Sequence, residues 1–586
     1  MERFKRLPYG NSNFERIITE DYAYVDKTRF IELLEQENNS YLFFTRPRKF
    51  GKSLFFSMLS HYYDINSADK FEQLFGNLYI GKHPTQKRNS YVVLKFNFSG
   101  LDTNSEEDFK ISFSGNIRQS VLTCLENHAK YIPDFAEYFQ DGKEQLSIAD
   151  KVNAVLRAAA SIDRKVFVVI DEYDHFANDL IALGTSSGDD TYRKIIRANG
   201  LVRDFYETLK KGSETVIDRI ILTGITPIML DDMTSGFNIA NSLSLKQQYN
   251  ELLGFTQEDV EWLKKETGVD SSLIKVDMEF LYNGYLFHSN GEHKVYNPSM
   301  ILYFFDQVST CNNNPEYIID ENLKMDYGRL RRLISGEQNS ATLMAIAQDN
   351  SILSDIILKF SIDELHENKS FVSLLFYMGL LTIDSAEEGT LRLKIPNYSI
   401  RTVYWEYIMR LTEDRNEDVL IDFSELKAAI RDLAFRGNPT PFIDYVSRTI
   451  FSCLSNRDLK RFSEKYIKII LLSGLLQSKL YLPITEMEIS KGYMDIWLKR
   501  SHLFPEIPCE WVWELKYVKK QDEANEAILQ EKRDEARAQL AKYRDSHLFA
   551  GRNDVRYLSL IFIGKDKYEI TENFDDNHIF TPKPAQ

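Results

Sequence analysis

The sequence predicts an α/β multidomain chain: a parallel sheet with helices on both faces, a helical, winged-helix-like middle, and a second α/β domain at the C-terminus. Three observations predict it. Short apolar runs rich in β-branched and aromatic residues alternate with stretches of helical period through residues 1–250, the order that builds a parallel sheet by right-handed crossovers. Two of those runs end in residues suited to phosphate and metal: Tyr41–Thr45 opens into a basic loop closing on Gly51-Lys52-Ser53, and Lys165–Ile170 ends in Asp171-Glu172. In the last quarter, the run Cys509–Lys516 has a period of two that places Glu514 and Lys516 on one face.

Composition sets the limits. At 586 residues the chain is too long for one core, and its 43% apolar, 13% aromatic and 27% charged residues are those of ordinary globular domains rather than a disordered chain. The first residues, Met1-Glu-Arg-Phe-Lys-Arg6, lack the apolar core of a signal peptide, and the longest apolar stretch, Phe371 to Ile383, is too short to span a bilayer. The four scattered cysteines have neither disulfide-framework nor zinc-ligand spacing. A cytoplasmic protein without a membrane partner is expected. The net charge of −15 is uneven: residues 451–586 hold 22 Lys and Arg against 21 Asp and Glu, leaving −16 for residues 1–450. Nucleic acid would therefore meet the least repulsion at the C-terminal quarter.

Each element follows in order. Arg29–Glu37 reads as a helix, and Tyr24-Val-Asp-Lys-Thr28 leads into it; Asp26-Lys27 fits a surface ion pair as well as a nucleotide contact. Tyr41–Thr45 is a buried strand, and the segment Arg46-Pro47-Arg48-Lys49-Phe50-Gly51-Lys52-Ser53 is a phosphate loop before the helix Leu54–Tyr63. In such a loop, backbone N–H groups at the helix start cradle phosphates, Lys52 reaches the β and γ oxygens, and Ser53 ligates Mg²⁺. Arg46 stands where the general pattern has its first glycine, and a cationic contact to phosphate is its expected role. Tyr91–Phe98 is the next strand, with helices over 106–130 and 145–160. Lys165–Ile170 then carries Asp171, expected to hold Mg²⁺, and Glu172, expected to orient the attacking water. A third strand, Ile217–Leu222, ends at Thr223, a candidate sensor of the γ-phosphate.

These stretches resemble a bacterial AAA-ATPase-like family, whose members carry a PD-(D/E)XK nuclease-like domain at the C-terminus. The resemblance rests on Tyr24–Thr28, Arg46–Ser53, Asp171-Glu-Tyr-Asp174 and Thr223-Gly-Ile-Thr-Pro227, and extends through Leu253–Thr256, Tyr282–Tyr285, Tyr296–Pro298 and Ile395–Asn397. It implies a P-loop NTPase of AAA-like type that uses ATP and Mg²⁺, with Arg46 as the family's usual residue at its position.

Beyond residue 250, Tyr285–Tyr296 reads as a hairpin turning at Asn290-Gly291, a small lid behind the nucleotide site; its His288 and His293 are read as exposed polar residues. Residues 325–440 are helical, interrupted by two short strands at Gly379–Asp384 and Thr390–Pro396 that fit a winged-helix-like module used for packing and signal transmission. A helix from Leu459 carries Glu464, Thr485–Ile489 is a strand, and Gly492–Leu498 returns as another bearing Asp495. Asp495 and Glu514 with Lys516 beside them are what metal-dependent phosphodiester cleavage needs: two carboxylates for Mg²⁺ or Mn²⁺, and a lysine for water or developing charge. On the strand Cys509–Lys516, Trp511, Trp513 and Leu515 should form the core face. A charged helix over 522–545 places Gln539 and Tyr543 together, one turn apart, and Leu558–Gly564 is the final strand. The order Glu464, Asp495, Glu514, Lys516, Gln539 resembles a PD-(D/E)XK core with its catalytic positions filled, although Met494 replaces the proline of the family name.

The expected organisation is residues 1–250 as the ATPase domain, 251–330 as a lid or winged-helix-like segment, 331–450 as a helical linker and 451–586 as the nuclease-like domain. The expected function is an ATP-hydrolysing protein coupled to a Mg²⁺-dependent nuclease on DNA rather than RNA, able to oligomerise, in an architecture that suits bacterial genome defence. The alternative is a signalling ATPase whose nuclease fold is a non-cleaving interaction module.

Overall fold

The computed structural model describes residues 4–132, 147–183, 200–228, 240–328, 331–334, 336–414, 421–451, 463–485, 487–489, 492–564 and 567–572. The chain forms two compact units, one of Met1–Thr342 with Ser351–Ile400, the other of Leu343–Asn350 with Arg401–Gln586.

The first unit is built on a parallel sheet of β1 (Tyr41–Thr45), β2 (Tyr91–Asn97), β3 (Lys165–Asp171), β4 (Ile217–Gly224) and β5 (Asn241–Ser242), in the order β2-β3-β4-β1-β5. β1 is buried at every residue and β3 at all but its first, as continuous apolar runs require when helices cover both faces. Phe44 meets Phe55 and Phe56 of the helix Lys52–Tyr63 edge-on, and Phe96 and Phe98 pack against Phe205. The crossover helices start on side-chain caps: Ser105 accepts from the Asp108 N–H, and Ser147 forms a capping box with Asp150. Because β4 lies between β1 and β3, the phosphate loop, the acidic pair and the β4 tip emerge side by side at one edge. Ligands of open α/β sheets bind at that edge.

The expected hairpin is closed by the antiparallel bridge Tyr285 to Val295, and a second bridge joins its end, Tyr296, to Phe255. Three antiparallel strands, β6 (Ser351–Leu353), β7 (Thr382–Glu387) and β8 (Thr390–Lys394), pair in the order β6-β8-β7. β7 and β8 are the two wing strands read from the sequence, joined through Glu388 and Gly389, both at positive φ as a tight hairpin needs.

The second unit has a mixed sheet of β9 (Tyr481–Ile484), β12 (Ile496–Arg500), β13 (Glu510–Val518), β14 (Val555–Ile563) and β15 (Lys567–Glu572), in the order β15-β14-β13-β12-β9. β13 and β14 are parallel, and the helix Glu526–Arg544 connects them; the other pairs are antiparallel. The strand read as Thr485–Ile489 is replaced by β9 and a separate strand β10 (Met487–Ile489). The return strand read as Gly492–Leu498 breaks at Asp495 into β11 (Gly492–Met494) and β12. Among the described residues β10 and β11 pair only with each other. β13 is buried on both faces, not on the tryptophan face alone, because the helix Glu526–Arg544 covers the side bearing Glu514.

Candidate functional sites

The phosphate loop holds its shape through residues from distant parts of the first unit. Gly51, at φ +94, is the N-cap of the helix Lys52–Tyr63, a conformation that strains any residue with a Cβ. Lys49 is also left-handed, at φ +65. The loop's carbonyls are occupied: Arg48 O accepts from Asn297 Nδ2 at 3.3 Å, Lys49 O from Ser299 Oγ at 3.1 Å, and Arg46 O and Pro47 O from Lys52 Nζ at 2.9 and 3.0 Å. Phe50 is buried edge-on against Tyr285 and Phe287. Pro47 sits so close to Gly379 that a Cβ there would come within 2.8 Å of the ring.

Arg46 is where the structure departs most from expectation. Its side chain is 1% exposed and turned away from the loop's cavity. Its guanidinium donates to Thr45 O and Ser244 O at 2.9 Å and Tyr249 O at 2.7 Å, and stacks 3.9 Å over the Phe287 ring. Burial pushes this group down to about 9. The residue is an internal tie between the loop, the β5 exit and the hairpin rather than a phosphate contact.

Loop and helix start open on a cavity of about 380 Å³. Arg48 through Ser53 form one wall and Glu172, Asp174 and His175 another. Lys27, which also lines it, pairs with Asp259 at 2.7 Å; Asp26 instead accepts from the Thr28 N–H and hydroxyl, so the Asp26–Lys27 ion pair does not form. Burial pushes the Lys52 ammonium down to about 8, against the pull of Asp171. The Asp171 carboxyl is raised, chiefly by burial, and accepts a hydrogen bond from Ser53, so the two expected Mg²⁺ residues are together. Glu172 stands at φ +52 and accepts from His175 Nδ1 at 2.9 Å, which lowers its carboxyl below the usual range; His175 Nε2 lies 3.3 Å from Asp179. Asp174 accepts from the N–H groups of Ile225 and Thr226, the Thr226 hydroxyl and Asn178, tying the β3 exit to the β4 exit. Thr223 is fully buried, and its hydroxyl donates to Phe44 O at 2.9 Å. It joins β4 to β1 and is not on the cavity wall, so the γ-phosphate role read from its place at the strand tip is not supported by the geometry. His293 pairs with Glu251 at 2.7 Å, and His288 accepts from the Asn290 N–H.

Sequence reasoning missed His175, Asn297 and Ser299. The Asn297-Pro298 step was legible as a helix start, and Asn297 does cap the helix Pro298–Cys311; its bond to the phosphate loop left no sequence signal.

In the second unit the break at Asp495 turns its carboxylate onto β13, where Oδ2 accepts from the Leu515 N–H at 3.0 Å and Oδ1 lies 3.5 Å from Lys468 Nζ. Lys516 Nζ is 2.6 Å from Glu514 Oε1 and 4.0 Å from Glu464 Oε1. The Tyr543 hydroxyl lies 2.7 Å from Glu514 Oε2 and 3.0 Å from Tyr493 O. Burial, then Asp495, pushes the Glu514 carboxyl up to about 7, and burial raises Glu464. Lys516 is raised: burial opposes its charge, but Glu514, Glu464 and Asp495 outweigh that. Glu464, Asp495, Glu514 and Lys516 are thus gathered, with Lys468 and Tyr543 added. On the long helix it is Tyr543, not the half-buried Gln539, that reaches Glu514. Glu510, on the same face, bonds Trp497 Nε1, the Arg500 N–H and Arg552 and belongs to the sheet's frame. Among the described residues no group of three or more His, Cys, Asp or Glu is arranged to hold a metal ion.

Sheet order, loop and acidic strand end define a P-loop ATPase-type domain, and the mixed sheet with its carboxylates and lysine defines a second domain of nuclease type. Residues 8–234 match the family described as predicted AAA-ATPase, and residues 462–572 match the PD-(D/E)XK nuclease superfamily. The chain has the architecture of AAA-ATPase-like proteins with a C-terminal PD-(D/E)XK nuclease-like domain. An uncharacterized protein in the vnfD 5′ region of Azotobacter chroococcum mcd 1 is 25% identical over 486 residues, covering 79% of this chain and 82% of that protein. A Walker-type ATPase of Pyrococcus abyssi shares 15% identity over 69% of this chain and 99% of its own, with a TM-score of 0.35. The Aeropyrum pernix ORC1 protein in complex with DNA shares 9% over 68% and 97%, with a TM-score of 0.26. At these scores the likeness carries no argument about partner or activity. No helix among the described residues is long and apolar enough to cross a membrane.

Proposed function

We propose that this protein binds and hydrolyses ATP in its first unit and cleaves DNA phosphodiesters with Mg²⁺ or Mn²⁺ in its second, the nucleotide state regulating the cleavage. The observation that carries the reading is the cavity on which Lys52, Gly51 and Glu172 converge at the strand edge, beside the Ser53–Asp171 contact. There Lys52 and the amides of the loop hold the triphosphate, and Ser53 and Asp171 hold the metal. Glu172, its carboxylate kept ionised and aimed by His175, accepts the proton of the attacking water.

The second site fits a divalent cation by its chemistry. Asp495 and Glu514 are hard oxygen donors, and their mutual repulsion, part of what holds Glu514 near neutrality, is relieved by a dication. When bound, the cation neutralises phosphate charge and acidifies water. Lys516 turns from Glu514 to the water or the departing oxygen, Tyr543 fixes Glu514, and Glu464 supports Lys516.

One observation favours the alternative of a non-cleaving interaction module: Glu514 and Asp495 are already engaged by Lys516 and Lys468. The full-length Lys52→Ala and Asp495→Ala variants decide between these readings. The expected result is loss of phosphate release in the first and of Mg²⁺-dependent DNA cleavage in the second. Wild-type protein that releases phosphate yet cuts no DNA establishes the interaction module, and variants that both behave as wild type sink the assignment.

A further inference from the structure

Tyr493 is the feature of the second unit that neither the fold nor the carboxylate chemistry uses. It sits on β11, which among the described residues pairs with β10 and with no strand of the main sheet. Its neighbour Met494 is fully buried, whereas the Tyr493 side chain is 66% exposed, as much as any large apolar side chain among the described residues. Along β11 the period of two that turns Met494 inward turns the Tyr493 ring outward, to solvent.

The ring is not on a loose arm. The Tyr493 carbonyl is 3.0 Å from the Tyr543 hydroxyl, which is 2.7 Å from Glu514 Oε2, and Asp495 follows two residues later. One hydrogen-bonded chain therefore fixes the Tyr493 backbone relative to both carboxylates. Lysines are interleaved with the carboxylates of the same site: Lys468 lies beside Asp495, Lys516 beside Glu514, and Lys532 is close enough to act on Glu464. An exposed aromatic ring on backbone tied to a site that also carries lysines is a combination by which proteins take a single strand, the base stacking on the ring and the phosphates meeting the cations. In a duplex each base is already stacked and paired, so a lone ring gains little from it.

We propose that Tyr493 is a stacking platform for an unpaired nucleobase, so that the nuclease-like site takes single-stranded nucleic acid in preference to intact duplex. This inference rests on the second unit acting on nucleic acid, and its test separates the two. The full-length protein, its Tyr493→Ala variant and its Tyr493→Phe variant are titrated, without divalent metal, into a fluorescently labelled single strand and the blunt duplex of the same sequence, read by anisotropy. The wild type is expected to bind the single strand more tightly. Tyr493→Ala is expected to weaken that binding roughly 5- to 100-fold, the range of one lost base–aromatic stack, with little change for the duplex, while Tyr493→Phe keeps it. Equal single-strand affinity of Tyr493→Ala and wild type, or an equal loss for both ligands, overturns the stacking role and leaves the nuclease reading standing. Wild type that binds neither ligand overturns that reading and this inference with it. Because the ring is exposed, an unchanged melting temperature of Tyr493→Ala shows that folding is not the cause.

Discussion

Replacing Arg46 with glycine restores the general phosphate-loop pattern, so the structure's account of this residue can be tested directly. In that account Arg46→Gly removes three charge-assisted hydrogen bonds to buried carbonyls and a stack on Phe287. Bonds to charged groups are worth roughly 1.5–3 kcal/mol each, and a desolvated cation–π contact roughly 2 kcal/mol. Against this stands the cost of burying the cation; depression of the guanidinium to about 9 is worth roughly 5 kcal/mol. The net loss is roughly 2–6 kcal/mol, and for a unit of this size that lowers its melting temperature by about 2–7 °C. The assay is calorimetry of the nucleotide-free full-length protein, with titration of a fluorescent ATP analogue at a temperature where the variant is folded. The expected result is a lower first-unit transition without ligand, and a loss of affinity that is alike for ATP and ADP. An unchanged melting temperature, with affinity lost selectively for the triphosphate, would refute the reasoning and return Arg46 to the phosphates.

His175→Ala is expected to lower kcat of ATP hydrolysis about tenfold with KM nearly unchanged, because His175 orients Glu172 rather than the nucleotide; steady-state phosphate release checks it. Tyr543→Phe is expected to slow Mg²⁺-dependent cleavage about tenfold, and Glu514→Gln by about a hundredfold or more, measured on one labelled oligonucleotide. His128 supplies a pH dependence of stability. Burial alone would push its imidazole down, but Asp64 at 3.0 Å from Nε2 and the Cys124 side chain, its Sγ 3.9 Å from Nδ1, raise it to about 10. A folded-state value above the unfolded one gives stability that is fully present below about pH 6.5 and is lost as the pH climbs towards 10. The melting-temperature gap between wild type and His128→Gln should therefore be widest near pH 6 and close towards pH 10; a gap that widens with pH would contradict the assignment.

The parallel sheet was legible because its strands are buried on both faces, which a run such as Lys165–Ile170 announces in its own composition. The second sheet was read with more error, for a physical reason. Thr485–Ile489 alternates as a strand should, but which partner a strand takes is settled by long-range pairing. Here β9 pairs with β12, and the alternating stretch folds back on β11. Likewise, alternation of Glu510, Glu514 and Lys516 with tryptophans reads as one wet and one dry face. The crossover helix Glu526–Arg544 then covers the polar face, and burial drives Glu514 up to about 7. No local pattern contains that helix's position.

The two cations of the phosphate loop make the same point within one motif. Lys52 and Arg46 are both cations of one loop and both buried in the fold, yet they differ in what encloses them. Lys52 has two carbonyls of its own loop as partners and a cavity in front, so a polyanion can replace those carbonyls at little cost to the fold. Arg46 is bound by carbonyls of Ser244 and Tyr249 and by the face of Phe287, groups contributed by segments distant in the sequence, and a phosphate could draw it out only by leaving those carbonyls unpaired. Spacing therefore identifies the loop, whereas the division between the lysine that is free to meet a ligand and the arginine that is not depends on tertiary contacts. The same logic separates Glu172, whose carboxylate faces the cavity with His175 behind it, from Asp174, whose oxygens are consumed by the β4 exit. In each pair the residue suited to chemistry is the one whose present partners a ligand can replace.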